Sequence, residues 1–294
     1  NGIATVDIGA FESGFVVNTF SDTVDVFPGD RSSADVFGNS SLRAAVMEAN
    51  SLPGDDTILL IPGAYRLTIA GRDEDAAVTG DLDVTDDLTI IGAGTNQTFI
   101  DAADLDRIFH VLPGAQLDLQ NLTIRNGEAI LGGAVFNGGT LNLNNVIVES
   151  STADVGGGLY NGLLQDSLAA DVLIGDTTVT IVNSAAFPSK GTFDIRIGSE
   201  ELRVTTVVGN VYTVTRAVNG TTAAAHVATD PVTLVQSLSV TASGIRNNVA
   251  RLQGGGVFNQ NELLLTRAVF TGNVSHAQGG GLFNEASAII TDST

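Results

Sequence analysis

GGAVFN at Gly132–Asn137, GGGLYN at Gly156–Asn161, GGGVFN at Gly254–Asn259 and GGGLFN at Gly279–Asn284 are near-copies of one hexapeptide. Asn137 and Asn161 are 24 residues apart, and Asn259 and Asn284 are 25 apart. Between Asn161 and Asn259 lie 98 residues, one period of 24 with about 74 to spare, so something has been inserted. The repeat extends outward from the hexapeptide. LDLQNLTIRNG from Leu117, LNLNNVIVESS from Leu141, LSVTASGIRNN from Leu238 and LLLTRAVFTGN from Leu263 align without gaps, each apolar at its first, third and eighth positions. Alternation of period two marks β-strand, with Leu117 and Leu119 on one face and Asp118 and Gln120 on the other. Each repeat therefore reads as two short strands, a turn and a glycine-rich corner. A unit this small cannot bury its own apolar face, so neighbours must stack on it.

Leucine-rich repeats and β-helices share this period. The former need a helical convex side, but the stretches between strands (SSTADVGGG, NVSHAQGGG) are short and glycine-rich. The expectation is an all-β chain, a right-handed parallel β-helix (solenoid). TILLIPGAYRLTI from Thr57, DLTIIGAG from Asp87 and IFHVLPGAQLDL from Ile108 read as its first, more loosely spaced coils. In SSLRAAVMEANSLPG, Leu42, Ala45, Val46 and Ala49 recur at helical spacing. Ser40 or Ser41 can cap the start, and Pro53–Gly54 ends the run. Such a helix would cap the first coil and protect its backbone edge. From about Asp166 to Ser237, strands rich in Val, Thr and Ile alternate with turn signals at Pro188, Gly198, Gly209–Asn210 and Asn219–Gly220, which predicts a small inserted all-β domain. The expected division is 1–14, a closing segment or donor strand; 15–56, a strand and the capping helix; 57–165, the first part of the stack; 166–237, the insert; and 238–294, the second part, with an incomplete last coil at SAIITDST.

Hydrophobic residues make up 43% of the 294 positions and charged ones 16%, so the chain can bury a large core. Acidic residues outnumber basic ones 33 to 13, a net charge of −20 that argues against nucleic acid and anionic membranes as partners. No apolar run reaches the roughly 18 residues that span a bilayer, so membrane insertion is not expected. With no cysteine and Lys190 the only lysine, neither disulfides nor repeated Lys–Asn isopeptide bonds can staple the fold. The opening NGIATVDIGAF has neither a basic nor an apolar leader region and reads as a processed point within something longer.

FVVNTFSDTVD from Phe15, followed by NSSLRAAVMEAN, PGDDTILLIPGAYRLT, LTIIGAG and LTIRNG, resembles the CSLREA-type N-terminal β-helix module of large bacterial surface proteins over Phe15 to about Gly127. Ser33 and Ser40 stand where that family usually carries cysteines, and Ala44 replaces the Glu that gives it its name. The paired change implies that a disulfide has been dispensed with. The GGGxFN repeats are similar to those of polymorphic outer-membrane proteins and related adhesins. DIGAFE at Asp7–Glu12 resembles the sequence that closes a β-helix unit in such proteins, and the insert, with its IGSEE and TRAVNGTTAAAH runs, resembles small β domains of giant surface proteins. These resemblances imply an extracellular, cell-surface location and no defined reaction.

Asn137, Asn161, Asn259 and Asn284 are best read as a stacked amide ladder, with Phe136, Tyr160, Phe258 and Phe283 stacking beside them inside the core. For a metal, Asp81, Asp83, Asp86 and Asp87 in GDLDVTDD offer oxygen ligands suited to Ca2+, although the spacing fits no known calcium loop. β-Helix lyases need acids with Arg, Lys or His on neighbouring coils. Asp101, Asp104, Asp106, Arg107 and His110 come nearest but are clustered along one stretch, which reads as a solvated loop. His226 and His276 stand alone. The absence of Trp, with only three Tyr, counts against a strong lectin, although surface glycans remain candidate partners. The expected function is structural or adhesive: a unit of a fibre, sheath or adhesin that joins head to tail through segment 1–13 and the open C-terminal coil. The alternative is a polysaccharide-binding or polysaccharide-lyase-like protein.

Overall fold

The computed structural model describes residues 14–72 and 74–294. Segment 1–13, with the closing DIGAFE motif and the expected donor strand, lies outside the described residues. Strand is by far the prevailing regular structure of the described chain, which has a single α-helix, and every sheet that carries the repeats is parallel, which meets the all-β expectation at the level of class. From Gln116 onward each period visits three sheets in turn. Gln116–Arg125 belongs to a 12-stranded sheet, Glu128–Leu131 to a four-stranded one and Val135–Asn137 to a six-stranded one. Thr140–Glu149 then returns to the first sheet beside Gln116–Arg125.

Single residues in the left-handed backbone region make the corners. Asn126, Ser150, Asn247 and Gly272 turn one corner at φ between 55° and 65°, and Gly132, Gly156, Gly254 and Gly279 turn the next at 64° to 67°. The second glycine of each triplet has a different reason. A Cβ on Gly157 would lie 2.5 Å from the Gly255 carbonyl oxygen of the next period, and one on Gly255 would lie 2.3 Å from that of Gly280. A side chain there would push the layers apart.

Register is kept through the stack. Asn137 pairs with Asn161, Asn161 with Asn259 and Asn259 with Asn284, so the 98-residue gap leaves no trace in the ladder. Leu117, Leu119, Leu141, Leu143, Leu238 and Val240 face Val111, Val135, Leu159 and Val257 across one continuous core. The helix Leu42–Ala49 is buried throughout and is capped by Ser41, whose Oγ accepts the Ala44 N–H at 3.0 Å. Arg43, fully buried, binds Asp22 at 2.7 Å and donates to the carbonyls of Ala77, Gly80 and Asp81. The Ser33 and Ser40 hydroxyls lie 2.6 Å apart.

The surplus within the 98 residues forms a six-stranded antiparallel sheet with its own core of Ile195, Ile197, Leu202, Val204 and Tyr212. Its strands run in the order Gln165–Ser167, Pro231–Leu234, Phe193–Ile197, Glu200–Val208, Val211–Thr215 and Thr178–Thr180. Gly198 and Gly209 sit in its hairpin turns with positive φ. Because the outgoing strand Gln165–Ser167 pairs with the returning Pro231–Leu234, the excursion leaves and rejoins the stack at one place.

Candidate functional site

The six-stranded parallel sheet carries the site because period-two alternation gives it two unlike faces. Val135, Leu159 and Val257 point into the core together with Asn137, Asn161 and Asn259, whose exposures are 1% or less. The Asn137 Nδ2 donates to Asn161 Oδ1 at 2.7 Å, Asn161 to Asn259 at 2.6 Å and Asn259 to Asn284 at 2.6 Å. Their second N–H groups reach backbone carbonyls such as Ser237 and Glu262, so the buried amides are satisfied.

The aromatic residues between them correct the inward placement. Phe136, Tyr160 and Phe283 are half-buried on the opposite, outer face. They stack as parallel rings at centroid distances of 5.1, 5.2 and 5.5 Å through Phe136, Tyr160, Phe258 and Phe283. Strict alternation decides this, since in a three-residue strand Val and Asn must share a face.

Two earlier strands continue the outer column with polar residues. Leu82–Val84 pairs with Phe109–Val111, which pairs with Val135–Asn137, so Asp83, His110 and Phe136 occupy one position in successive layers. His110 meets Phe136 edge-on at 5.0 Å. Its Nδ1 lies 3.3 Å from Asp83 Oδ1 and 3.4 Å from Asp75 Oδ1. Asp83 is fully buried; its Oδ2 accepts the Ala77 N–H at 2.9 Å, while Oδ1 has no hydrogen-bond partner. Burial pushes the Asp83 carboxyl up against the opposing contacts with His110 and the Ala77 N–H. Alongside, Arg107 Nε lies 3.1 Å from Asp81 Oδ2 and 3.8 Å from Asp106 Oδ1, with its guanidinium 5.7 Å from the Phe136 ring centre. Burial, reinforced by the Asp83 charge and only partly offset by Arg107, raises the Asp81 carboxyl to about 8.

The four carboxylates expected to hold calcium therefore do not converge. Asp81 is engaged by Arg107, Asp83 faces His110, and Asp87 accepts the Gln116 N–H at 3.0 Å around the corner. Burial also raises the Asp87 carboxyl, with the Gln116 hydrogen bond opposing it. Asp86 accepts the N–H of Asp87, within the turn. Among the described residues, the set of three His, Asp or Glu side chains whose ligand atoms lie within 4.8 Å of one another is Asp75, Asp83 and His110. Sequence reading missed Asp75 and His110 as partners of Asp83. The signal was the strand LDV at 82–84 and FHV at 109–111, which align under VFN at 135–137. Arg107 and His110, read as part of a solvated loop, in fact meet Asp81 and Asp83 from the neighbouring layer, with Asp106 beside Arg107. Asp101 pairs instead with Arg125 at 2.9 Å.

A cleft of about 700 Å3 opens between this outer face and the antiparallel sheet, lined by Asp75, Asp86, His110, Phe136, Phe187 and Lys190 among others. The other histidines lie elsewhere. His226 is buried against Glu200 at 2.8 Å, and His276 is exposed. No helix of the described residues is long and apolar enough to cross a membrane. No family model, curated protein or solved structure matches the chain.

Proposed function

We propose that the chain is a right-handed parallel β-helix unit of an extracellular fibre, sheath or adhesin that associates end to end. The observation that carries this reading is the unbroken amide ladder Asn137–Asn161–Asn259–Asn284, in which successive layers bond each other through identical buried groups. Such a ladder favours continued stacking of like on like. The resemblance to CSLREA-type modules and adhesin repeats supports the cell-surface setting. The closeness of the Ser33 and Ser40 hydroxyls fits the reading that these positions, usually cysteines in the modules the chain resembles, replace a disulfide. Ile289 and Ile290 are exposed at 62% and 54% on Ala288–Thr291, which pairs with Glu262–Thr266 in the 12-stranded sheet. Electron microscopy of the purified protein should show end-to-end fibres, which Ile290→Asp should shorten. A protein that stays monomeric at every concentration would sink the assembly reading.

The alternative, polysaccharide binding or lyase-like chemistry, has one observation in its favour. Asp81, Asp83, Asp106, Arg107 and His110 do meet across neighbouring layers beside the cleft. Asp81, Asp83 and Asp106 are at most 4% exposed, which keeps those acids from a polymer and ranks the reading second. Depolymerisation of any member of a panel of acidic polysaccharides would reverse that ranking.

A further inference from the structure

The geometry points to a divalent transition-metal site, with Zn2+ as its representative ion, formed by Asp75, Asp83 and His110 at the wall of the cleft. The assignment is independent of the structural or adhesive reading. Three observations support it.

The first is the unpartnered oxygen. Asp83 is completely buried, yet Oδ1 lacks a hydrogen bond although His110 Nδ1 is only 3.3 Å away. A buried carboxylate oxygen left so is costly unless something positive sits beside it. The second is convergence. Asp75, from the loop before Leu82–Val84, brings its Oδ1 to 3.4 Å from the same His110 nitrogen, so two carboxylates from different segments crowd one imidazole nitrogen. One Nδ1–H cannot be directed well at both. The third is spacing. Ligand atoms about 2.1 Å from a tetrahedral ion stand about 3.4 Å from one another, which matches both separations.

Ligand chemistry selects the ion. Two carboxylates with an imidazole suit Zn2+ and its neighbours, whereas Ca2+ prefers an all-oxygen shell of six or more ligands. Three protein ligands leave a position open, and Asp75 and His110 both line the cleft. The site therefore combines a fixed inner ligand, Asp83, with an exposed outer one, Asp75.

Calorimetric titration of the whole, chelator-treated chain with Zn2+ tests this directly, with Co2+ as a spectroscopic substitute whose visible absorption reports nitrogen and oxygen ligation. We expect one ion per chain. Asp75→Ala, which removes an exposed loop side chain and leaves the fold intact, should weaken binding at least about tenfold, and His110→Gln should do the same while extinguishing the Co2+ spectrum. Absence of both a binding heat and a Co2+ spectrum would overturn the assignment. So would binding that survives both substitutions, or Ca2+ competing on equal terms with Zn2+.

Discussion

Glu200–His226 beside the antiparallel sheet and Asp83–His110 on the parallel stack each set a fully buried acid against a histidine, and they are finished differently. Glu200 is fully buried. Its oxygens accept from Arg216 Nε at 2.6 Å and Nη2 at 2.7 Å and from the N–H groups of Ala217 and Ala224, and Oε2 meets His226 Nε2 at 2.8 Å. Asp83 has one oxygen bonded and one left over. The first arrangement is complete within the chain and reads as architecture. The second is incomplete within the chain and reads as a place for a ligand. Composition cannot separate the two, because each is an acid beside a histidine.

The comparison can be broken most severely at Glu200. Glu200→Ala takes the carboxylate from the half-buried Arg216 guanidinium, leaving it the carbonyls of Leu173, Asp176 and Ala224, and should lower unfolding free energy by about 3–5 kcal/mol in urea; a loss below 1 kcal/mol would remove Glu200 from its structural role. Zn2+ should act on the other pair alone, adding about 2.7 kcal/mol at a hundred times its dissociation constant. That gain should vanish in His110→Gln and persist in a Glu200 variant that still folds.

Acid provides a third contrast. Burial alone would raise the Glu200 carboxyl, but hydrogen bonds from Arg216, the Ala224 N–H and His226 outweigh it and hold it at about 2. A carboxyl depressed on folding contributes fully above its unfolded value of 4.5. Between pH 4.5 and about 2 some 2–3 kcal/mol should be lost, and Glu200→Gln should flatten that part of a pH–stability profile. Asn259 belongs with Glu200, since its amide bonds Asn161, Asn261 and Asn284. Asn259→Leu should cost about 2 kcal/mol by taking the acceptor from one buried N–H of Asn161 and the donor from Asn284 Oδ1; an unchanged melting temperature would show that the ladder does not stabilise the stack. The smallest effect is expected from Asp75→Ala, which should shift metal-free stability by less than about 0.5 kcal/mol.

Much of the architecture was legible because it repeats. The four hexapeptides set the register of their strands, and their one anomalous spacing located the antiparallel sheet. Ser40 and Ser41, polar residues before an apolar helical run, announced a cap, which the structure gives to Ser41. The faces of the hexapeptide were harder. Val-Phe-Asn invites placing both apolar residues inside, but alternation pairs Val135 with Asn137, and a continuous ladder makes a buried amide tolerable. The site was hardest. Asp75, Asp83 and His110 belong to a loop and two strands whose spacing drifts from the 24-residue period, so their meeting depends on loop lengths that pattern alone does not fix. Counting outward from the well-matched layers by strand rather than by residue would have put His110 under Phe136.

The pairing of Gln165–Ser167 with Pro231–Leu234 also bears on how quickly the chain can find its fold. Joining Asn161 to Asn259 through 98 residues of loose chain carries a large loop-closure entropy. Once the antiparallel sheet has formed by its own short-range hairpins, its two ends stand one strand spacing apart, about 4.8 Å. The effective loop then shrinks toward the ordinary period, and the next layer can zip on almost as though nothing intervened. A side sheet formed first would therefore shorten the loop that the two halves of the ladder have to close.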